Sequence, residues 1–97
     1  MNKIDHVAIV VEDLDTTVQW YLAHFKAKLI YQDKTWAMLE FANIKLAFVI
    51  SNEHPAHIAF ISKDAKRYGK LKRHRDDTYS CYIKDPSGNV VEIVKSE

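Results

Sequence analysis

Apolar and polar positions alternate along several short stretches of this chain, a pattern that predicts β-strands. The first stretch, residues 3–11, is rich in β-branched side chains. Apolar residues then recur at helical spacing and predict an amphipathic helix with Asp13 or Asp15 as its N-cap. Its apolar stripe consists of Leu14, Val18, Tyr21, Leu22 and Phe25. Further strands are predicted at 28–32, 36–41, 44–50, 57–62, 78–84 and 89–95, with a short helical stretch near 64–72.

Three blocks of the first half of the chain recur, in the same order, in the second half. The matches are IDHVAIVVEDL with PAHIAFISKDA at an offset of 51, DKTWAMLEF with DDTYSCYIK at 43, and NIKLAF with GNVVEI at 45. Their order and their shared polar anchors favour an internal repeat over chance similarity between apolar strands. The repeat predicts one domain of residues 1–97, built from βαβββ modules of about 1–52 and 53–97. We therefore expect an α+β fold with eight strands, about two helices and a curved mixed sheet around a concave cavity.

Composition narrows the classes of function. The net charge of +1 gives no general attraction to nucleic acid or to a membrane surface, and the longest apolar runs are far shorter than a bilayer span. The single cysteine, Cys81, permits no internal disulfide, and Met1 is not followed by a basic-then-apolar leader, so we expect a cytoplasmic protein. A chain of 97 residues buries a modest core, which favours a homodimer.

One stretch of the chain is strongly basic. Residues 63–75 hold seven of the fourteen Lys and Arg residues and a single acidic residue. A solvated helix and loop explains such a stretch, and so does a rim that attracts an anionic small-molecule substrate such as a carboxylate or a phosphonate. Nucleic acid fits less well, because only Tyr68 is interleaved as a stacking partner.

Two histidines and a glutamate occupy matching places on predicted strands. His6 and His57 are equivalent positions of the repeat, and Glu92 lies between Val91 and Ile93 in a strand that is otherwise apolar. Two imidazoles and one carboxylate form an open metal site, whereas a structural metal site usually has four protein ligands. A buried carboxylate without a partner would be costly, and either a metal or a salt bridge removes that cost. Core histidines satisfied by hydrogen bonds are the alternative interpretation.

Three sequence segments together resemble the vicinal oxygen chelate superfamily: DHVAIVVEDLDTTVQWY, AHIAF and YIKDPSGNVVEI. That superfamily includes glyoxalase I, bleomycin-resistance proteins, fosfomycin-resistance transferases and extradiol dioxygenases. The resemblance covers nearly the whole chain. It implies a divalent metal on the concave face, held by His6, His57 and Glu92. Glyoxalase I commonly has a further glutamate ligand, and the repeat puts Ala47 at that position, so the four-ligand pattern is not met.

The extradiol dioxygenase motif is partly matched. It reads here as His74, Tyr82, Asp85, Pro86, Gly88 and Glu92, with departures at Lys72 and Cys81. The resemblance implies that Tyr82 hydrogen-bonds a metal-bound oxygen and that His74 carries a proton. The alternatives are a packed strand tyrosine and a solvated surface histidine. Tyr82 is expected to lie on the opposite face of its strand from Cys81 and Ile83.

The resemblance thus implies a small metal-dependent enzyme, a dioxygenase, lyase or transferase, that chelates an oxygen-bearing small molecule on its metal. Fe(II) or Mn(II) suits the ligands, and Zn(II), Ni(II) and Co(II) remain open. A metal-free, drug-sequestering binding protein of the same fold is the alternative. A third hypothesis is a chain that only dimerises or serves as a subunit, which would apply if its own aromatic residues filled the concave face: Trp36, Phe48, Phe60 and Tyr79.

Overall fold

The computed structural model describes residues 1–74 and 77–96. Its elements are β1 (Lys3–Val11), α1 (Leu14–His24), β2 (Lys28–Gln32), β3 (Trp36–Glu40), β4 (Lys45–Ile50), β5 (His57–Ser62), a 3-10 turn (Ala65–Arg67), β6 (Lys72–Arg73), β7 (Tyr79–Lys84) and β8 (Val90–Lys95). The eight strands found in these residues form a mixed sheet in the order β2-β3-β4-β1-β5-β8-β7-β6. The predicted α+β class is confirmed. The chain divides into two compact units, residues 6–56 and residues 1–5 with 57–97.

Helix α1 begins where the sequence predicts. The backbone N–H of Thr16 donates to Oδ1 of Asp13 at 2.9 Å, so Asp13 is the N-cap. Leu14 and Val18 are buried, whereas Phe25 follows the last turn and is half exposed. In the described part of the chain, no helix has the length and apolar content that a bilayer crossing requires.

The unit of residues 6–56 has a core between α1 and one face of its strands. Residues 6–11 of β1 pair in parallel with β4, β4 pairs antiparallel with β3, and β3 with β2. The helix-facing cluster consists of Leu14, Val18, Ala37, Leu39 and Phe48. Because side chains alternate along a strand, the neighbouring positions form a second apolar cluster on the other face. It consists of Ala8, Met38, Ala47 and Val49, with Tyr31 and Trp36 packed against it.

The second unit repeats this plan. β5 pairs in parallel with β8, β8 pairs antiparallel with β7, and β7 with β6. Its core consists of Ala65, Cys81 and Ile93, with Phe60, Leu71, Ile83 and Val91 packed against them. The predicted turn after β7 is present: Gly88 has a φ of 85° and donates its N–H to the carbonyl oxygen of Asp85 at 3.0 Å.

Two local features of the second unit differ from the prediction. The helical stretch expected near 64–72 is reduced to the three-residue 3-10 turn, and strand β6, which the pattern did not predict, follows it. Gly69 lies within this stretch and disfavours a helix, and so short a segment cannot recover the cost of helix nucleation.

The register of the strands refines the internal repeat. The cross-strand pairs are Ala47 with Ala8 and Met38, and Glu92 with Ala59 and Tyr82. Since Ala47 and Glu92 are equivalent, Met38 corresponds to Tyr82 at an offset of 44. The sequence alignment of the repeat at an offset of 43 had matched Met38 with Cys81, so it was wrong by one residue. Such a shift exchanges the two faces of the strand.

Candidate metal centre

Glu92 lies on β8 with only 5% of its surface exposed, and its two carboxylate oxygens have different partners. Nε2 of His57 lies 3.0 Å from Oε1. The hydroxyl of Ser80 donates to Oε2 at 2.6 Å, and Nε2 of His74 lies 3.4 Å from the same oxygen. The carboxylate is therefore enclosed by polar groups on both sides, which offsets the cost of burying it.

Strand pairing explains why these groups meet. Ala59 of β5 lies directly opposite Glu92, and His57, two residues earlier, shares its face. On the other side Tyr82 of β7 lies opposite Glu92, and Ser80, two residues earlier, shares that face as well. Period-two alternation along three strands thus brings the polar groups to one face.

Tyr82 stands between the two imidazoles of this face. Its ring meets His57 edge-on, with centroids 5.4 Å apart, and meets His74 edge-on at 6.3 Å. Burial, and then the charge and hydrogen bond of Glu92, raise the pKa of the Tyr82 phenol above its usual range, so its hydroxyl stays protonated and can donate. The residue as a whole is 41% exposed. Cys81 packs into the core on the opposite face, as predicted.

His74 points inward, in contrast to the solvated surface histidine that was the alternative interpretation. Its Nε2 lies 2.5 Å from Oγ of Ser80, and its side chain is 22% exposed. The backbone holds it there, since its N–H donates to the carbonyl oxygen of Thr78 at 2.8 Å.

Ser80 is the residue of this face that the sequence analysis missed. It is fully buried and contacts both His74 and Glu92. Its position two residues before Tyr82 was the available signal, because alternation places both side chains on one face. A serine in a strand carries no chemical signature of its own, and its importance follows from the pairing register.

Three buried side chains form the group that could hold a metal ion among the described residues: His6, His57 and Glu92. The His57–Glu92 geometry fits such a role. Two ligand atoms each about 2.1 Å from an octahedral ion, at neighbouring positions, lie about 3.0 Å apart. The observed separation of Nε2 and Oε1 is 3.0 Å. A direct hydrogen bond has the same length, so this distance suits both interpretations.

The position equivalent to Glu92 in the other unit is Ala47. It is 2% exposed and packs with Ala8, Met38 and Val49. A methyl group cannot ligate a metal, so the unit of residues 6–56 offers no carboxylate at this place, as the repeat predicted. Around Ala47 its corresponding face is apolar, whereas the face of the second unit around Glu92 is polar.

Three of the four aromatic residues that could have filled the concave face lie away from it, and Trp36 is the exception. Phe48 packs against α1, and Phe60 packs against the core of the second unit. Tyr79 is exposed. Trp36 stacks on Tyr31, with centroids 4.2 Å apart, and packs against a cluster that includes Ala8, which shares its face of β1 with His6. One of the four rings therefore lies on the face of β1 that carries His6, and the other three do not.

Comparison with known proteins agrees with this fold. A family model described as Glyoxalase/Bleomycin resistance protein/Dioxygenase superfamily matches residues 3–69. A hypothetical protein from Bacillus halodurans has a TM-score of 0.76 at 19% identity, covering 99% of this chain and 95% of that one. A methylmalonyl-CoA epimerase variant from Streptomyces coelicolor, in complex with 2-nitronate-propionyl-CoA, has a TM-score of 0.77 at 20% identity, covering 99% and 98%.

A third solved structure, a glyoxalase/bleomycin resistance protein/dioxygenase superfamily member from Vibrio splendidus, has a TM-score of 0.68 at 7% identity, covering 99% of this chain and all of that one. At these identities the structures share the fold alone. A search of curated proteins finds no match. Because the family model matches more than half of the sequence, and His6 and His57 lie within the matched residues, the chain belongs to the glyoxalase/bleomycin resistance protein/dioxygenase superfamily.

Proposed function

We propose that this chain is a small metal-dependent enzyme that binds an oxygen-bearing small molecule at a divalent metal held by His6, His57 and Glu92. The observation that carries the proposal is the buried His57–Glu92 pair, whose ligand atoms lie 3.0 Å apart, in a group completed by buried His6. The donor set suits Fe(II), Mn(II), Zn(II), Ni(II) or Co(II). Three protein ligands leave coordination positions for substrate.

The metal, when bound, would supply Lewis-acid stabilisation of charge on the substrate. The other groups of the face would orient the substrate and move protons. The Tyr82 hydroxyl is kept protonated by its raised pKa, and it would turn from Glu92 to donate a hydrogen bond to a substrate oxygen. His74, partly exposed and hydrogen-bonded to Ser80, would carry a proton between the buried face and solvent. A dioxygenase, a lyase and a transferase could each use this arrangement.

The proposed substrate is anionic. Lys72 pairs with Ser80 across β6 and β7, so its side chain lies on the same face as Ser80 and Glu92. Lys70 belongs to the same short segment, whereas Arg73 lies on the other face and pairs with Asp77. A cation beside a metal-bearing face would attract a carboxylate or a phosphorus oxyanion. The CoA ligand of the Streptomyces epimerase is one example of a small molecule bound by this fold.

We also propose that the protein forms a homodimer and is located in the cytoplasm. The aromatic side chains of Trp20 and Phe25 are half exposed at the end of α1, where a second copy could cover them. Cys81 is a free thiol, as expected in a reducing compartment.

A metal-free binding protein is the second candidate, and one observation favours it. Glu92 has His57, Ser80 and His74 as polar partners within the protein, so burial of its carboxylate does not by itself require a metal. In that case the same face would sequester a metabolite or drug through Tyr82 and Lys72, and loss of His6 would leave ligand binding unchanged.

Metal analysis of the purified, untagged protein separates the two candidates. We expect about one equivalent of a transition metal in the wild type, and its loss in His57→Ala and in the triple variant His6→Ala, His57→Ala, Glu92→Ala. His24→Ala is the matched control, since His24 lies on α1 and bonds the carbonyl oxygen of Trp20. If the wild type binds no metal after reconstitution with Fe(II), Mn(II), Ni(II) and Zn(II), the enzyme proposal is wrong and the binding protein remains.

A further inference from the structure

Ser80 lies at the centre of the polar face and has no exposed surface. Its hydroxyl donates to Oε2 of Glu92 at 2.6 Å, a length typical of a hydroxyl donating to a carboxylate. Because its single proton is used in this way, the same oxygen can only accept from His74, whose Nε2 lies 2.5 Å away. The three groups thus form a directed chain from His74 through Ser80 to Glu92.

The chain ends on one particular oxygen of the carboxylate. Ser80 and His74 both lie on the Oε2 side, whereas His57 lies on the Oε1 side. Rotation of the carboxylate to present both oxygens to one ion would break the bond from Ser80. The hydroxyl therefore holds the carboxylate in an orientation that suits ligation through Oε1 alone.

The backbone keeps Ser80 and His74 in place independently of their side chains. Ser80 pairs with Val94 on β8 and with Lys72 on β6, which fixes it between two strands. His74 follows β6 directly, and two backbone hydrogen bonds hold it: its N–H donates to the carbonyl oxygen of Thr78 at 2.8 Å, and its carbonyl oxygen accepts from the N–H of Asp77 at 3.0 Å. The two groups are thus positioned before any metal binds.

We propose that Ser80 is a positioning residue that orients Glu92 for metal ligation through one oxygen, with His74 fixing the Ser80 hydroxyl in turn. This inference rests on the proposed function. Groups that orient metal ligands typically account for about 10–100-fold in metal affinity. Ligation through one oxygen also leaves an additional coordination position for a chelated substrate.

A purely structural serine would behave differently. If Ser80 only satisfies buried polar atoms, its loss lowers the stability of the metal-free protein and leaves the metal affinity of the folded protein unchanged. If it positions Glu92, the metal affinity falls even after the change in stability is taken into account. Metal affinity, and not activity, is therefore the decisive measurement.

The experiment is calorimetric titration of the metal-free protein with Co(II) or Mn(II), alongside unfolding of the metal-free form. We expect Ser80→Ala to bind the metal about 10–100-fold more weakly than the wild type, with recovery in Ser80→Thr, which restores a hydroxyl. Ser62→Ala is the control, because it removes a hydroxyl that accepts only from the N–H of Asp64 in the same unit.

The outcomes separate this inference from the proposed function. A wild type that binds no metal overturns both. A wild type that binds metal, with Ser80→Ala binding it equally well, overturns the positioning role alone. If Ser80→Ala does not fold, His74→Ala is the variant to measure, because the His74 side chain is partly exposed and lies at the edge of the unit. A several-fold weaker metal affinity of His74→Ala supports the chain of contacts from His74 through Ser80 to Glu92, and an unchanged metal affinity contradicts it.

Discussion

At the scale of single residues, the two sides of β7 carry different chemistry. Tyr82 and Ser80 face Glu92, whereas Cys81 between them packs against Ala65 and Ile93 in the core. The polar face can therefore change its hydrogen bonds without disturbing the apolar packing one residue away. Because of this separation, a change in metal affinity caused by a substitution at Ser80 can be attributed to the Glu92 carboxylate.

Cys81 gives a prediction that needs no substrate. Burial, and then the charge of Glu92, raise the pKa of its thiol, and only 5% of the residue is exposed. The thiolate is the reactive form, so we expect the native protein at pH 8 to react with an aromatic disulfide reagent at least about 10-fold more slowly than the chain unfolded in guanidinium. Cys81→Ala sets the background, because the chain has no other cysteine. Equal rates for native and unfolded protein would contradict the burial of the Cys81 thiol.

At the scale of elements, the hairpin of β7 and β8 sets the register of the polar face. Its turn is built on Asp85, whose carboxylate accepts from the N–H of Ser87 at 2.9 Å, from the N–H of Asn89 at 2.8 Å and from the Asn89 side-chain amide at 2.9 Å. Gly88 supplies the positive φ that the turn requires. The turn therefore fixes which residue of β7 lies opposite Glu92.

The Asp85 turn makes hairpin stability depend on pH. Hydrogen bonds from the side chain and then the backbone of Asn89 lower the pKa of Asp85 below its ordinary value of 3.8. A lowered folded pKa means that the stabilisation is complete above the unfolded pKa and is lost as the pH falls through the folded one. We expect Asp85→Ala to be less stable than the wild type at pH 7, and the difference in unfolding free energy to narrow below about pH 4.

Denaturant unfolding at neutral and acidic pH measures this difference. Asp64→Ala is a suitable control, because the Asp64 side chain makes no capping hydrogen bond to the 3-10 turn that follows it. A gap between wild type and Asp85→Ala that stays constant with pH would show that the carboxylate charge does not stabilise the turn.

The periodicity of apolar residues was sufficient to predict most helices and strands, but not all elements of the second unit. The long alternating run of residues 3–11 and the stripe that includes Leu14 and Val18 predicted β1 and α1, because their apolar faces are buried as the pattern requires. β6 has only two residues, Lys72 and Arg73, and both are exposed, so no apolar pattern marks it. Pairing with β7 alone makes it a strand.

In the candidate site, too, the local sequence pattern predicts some residues, whereas others depend on the register of strand pairing. His6, His57 and Glu92 could be predicted because polar residues in apolar strands are conspicuous. Ser80 and the inward position of His74 could not, because they depend on which residues of β6, β7 and β8 lie opposite one another. The one-residue error in the repeat alignment has the same cause, since similar letters do not fix a register.

At the scale of the whole molecule, the two units share one strand arrangement but carry different side chains at equivalent positions. Where the second unit places Glu92, the first places Ala47, and the polar partner Tyr82 has Met38 as its counterpart. The first unit thus offers an apolar face, extended by the stacked rings of Tyr31 and Trp36. The first copy thus keeps a histidine, His6, at the position of His57 but replaces the carboxylate of Glu92 by the methyl group of Ala47.

The outer surface of α1 makes the proposed homodimer testable. Trp20 stacks on His24 with centroids 4.1 Å apart, and Trp20 and Phe25 are each 50% exposed. Large exposed aromatics grouped at one helix end are typical of an interface, and a small core gains from covering them. We expect light scattering to give twice the mass of one chain for the wild type and a single chain for Trp20→Glu, because a carboxylate cannot be buried there without a partner. Tyr68→Glu, which alters an aromatic residue of similar exposure in the second unit, should remain dimeric. A monomeric wild type would refute the dimer, whereas a dimeric Trp20→Glu would show that the interface lies elsewhere and that the ring cluster at α1 serves the single chain.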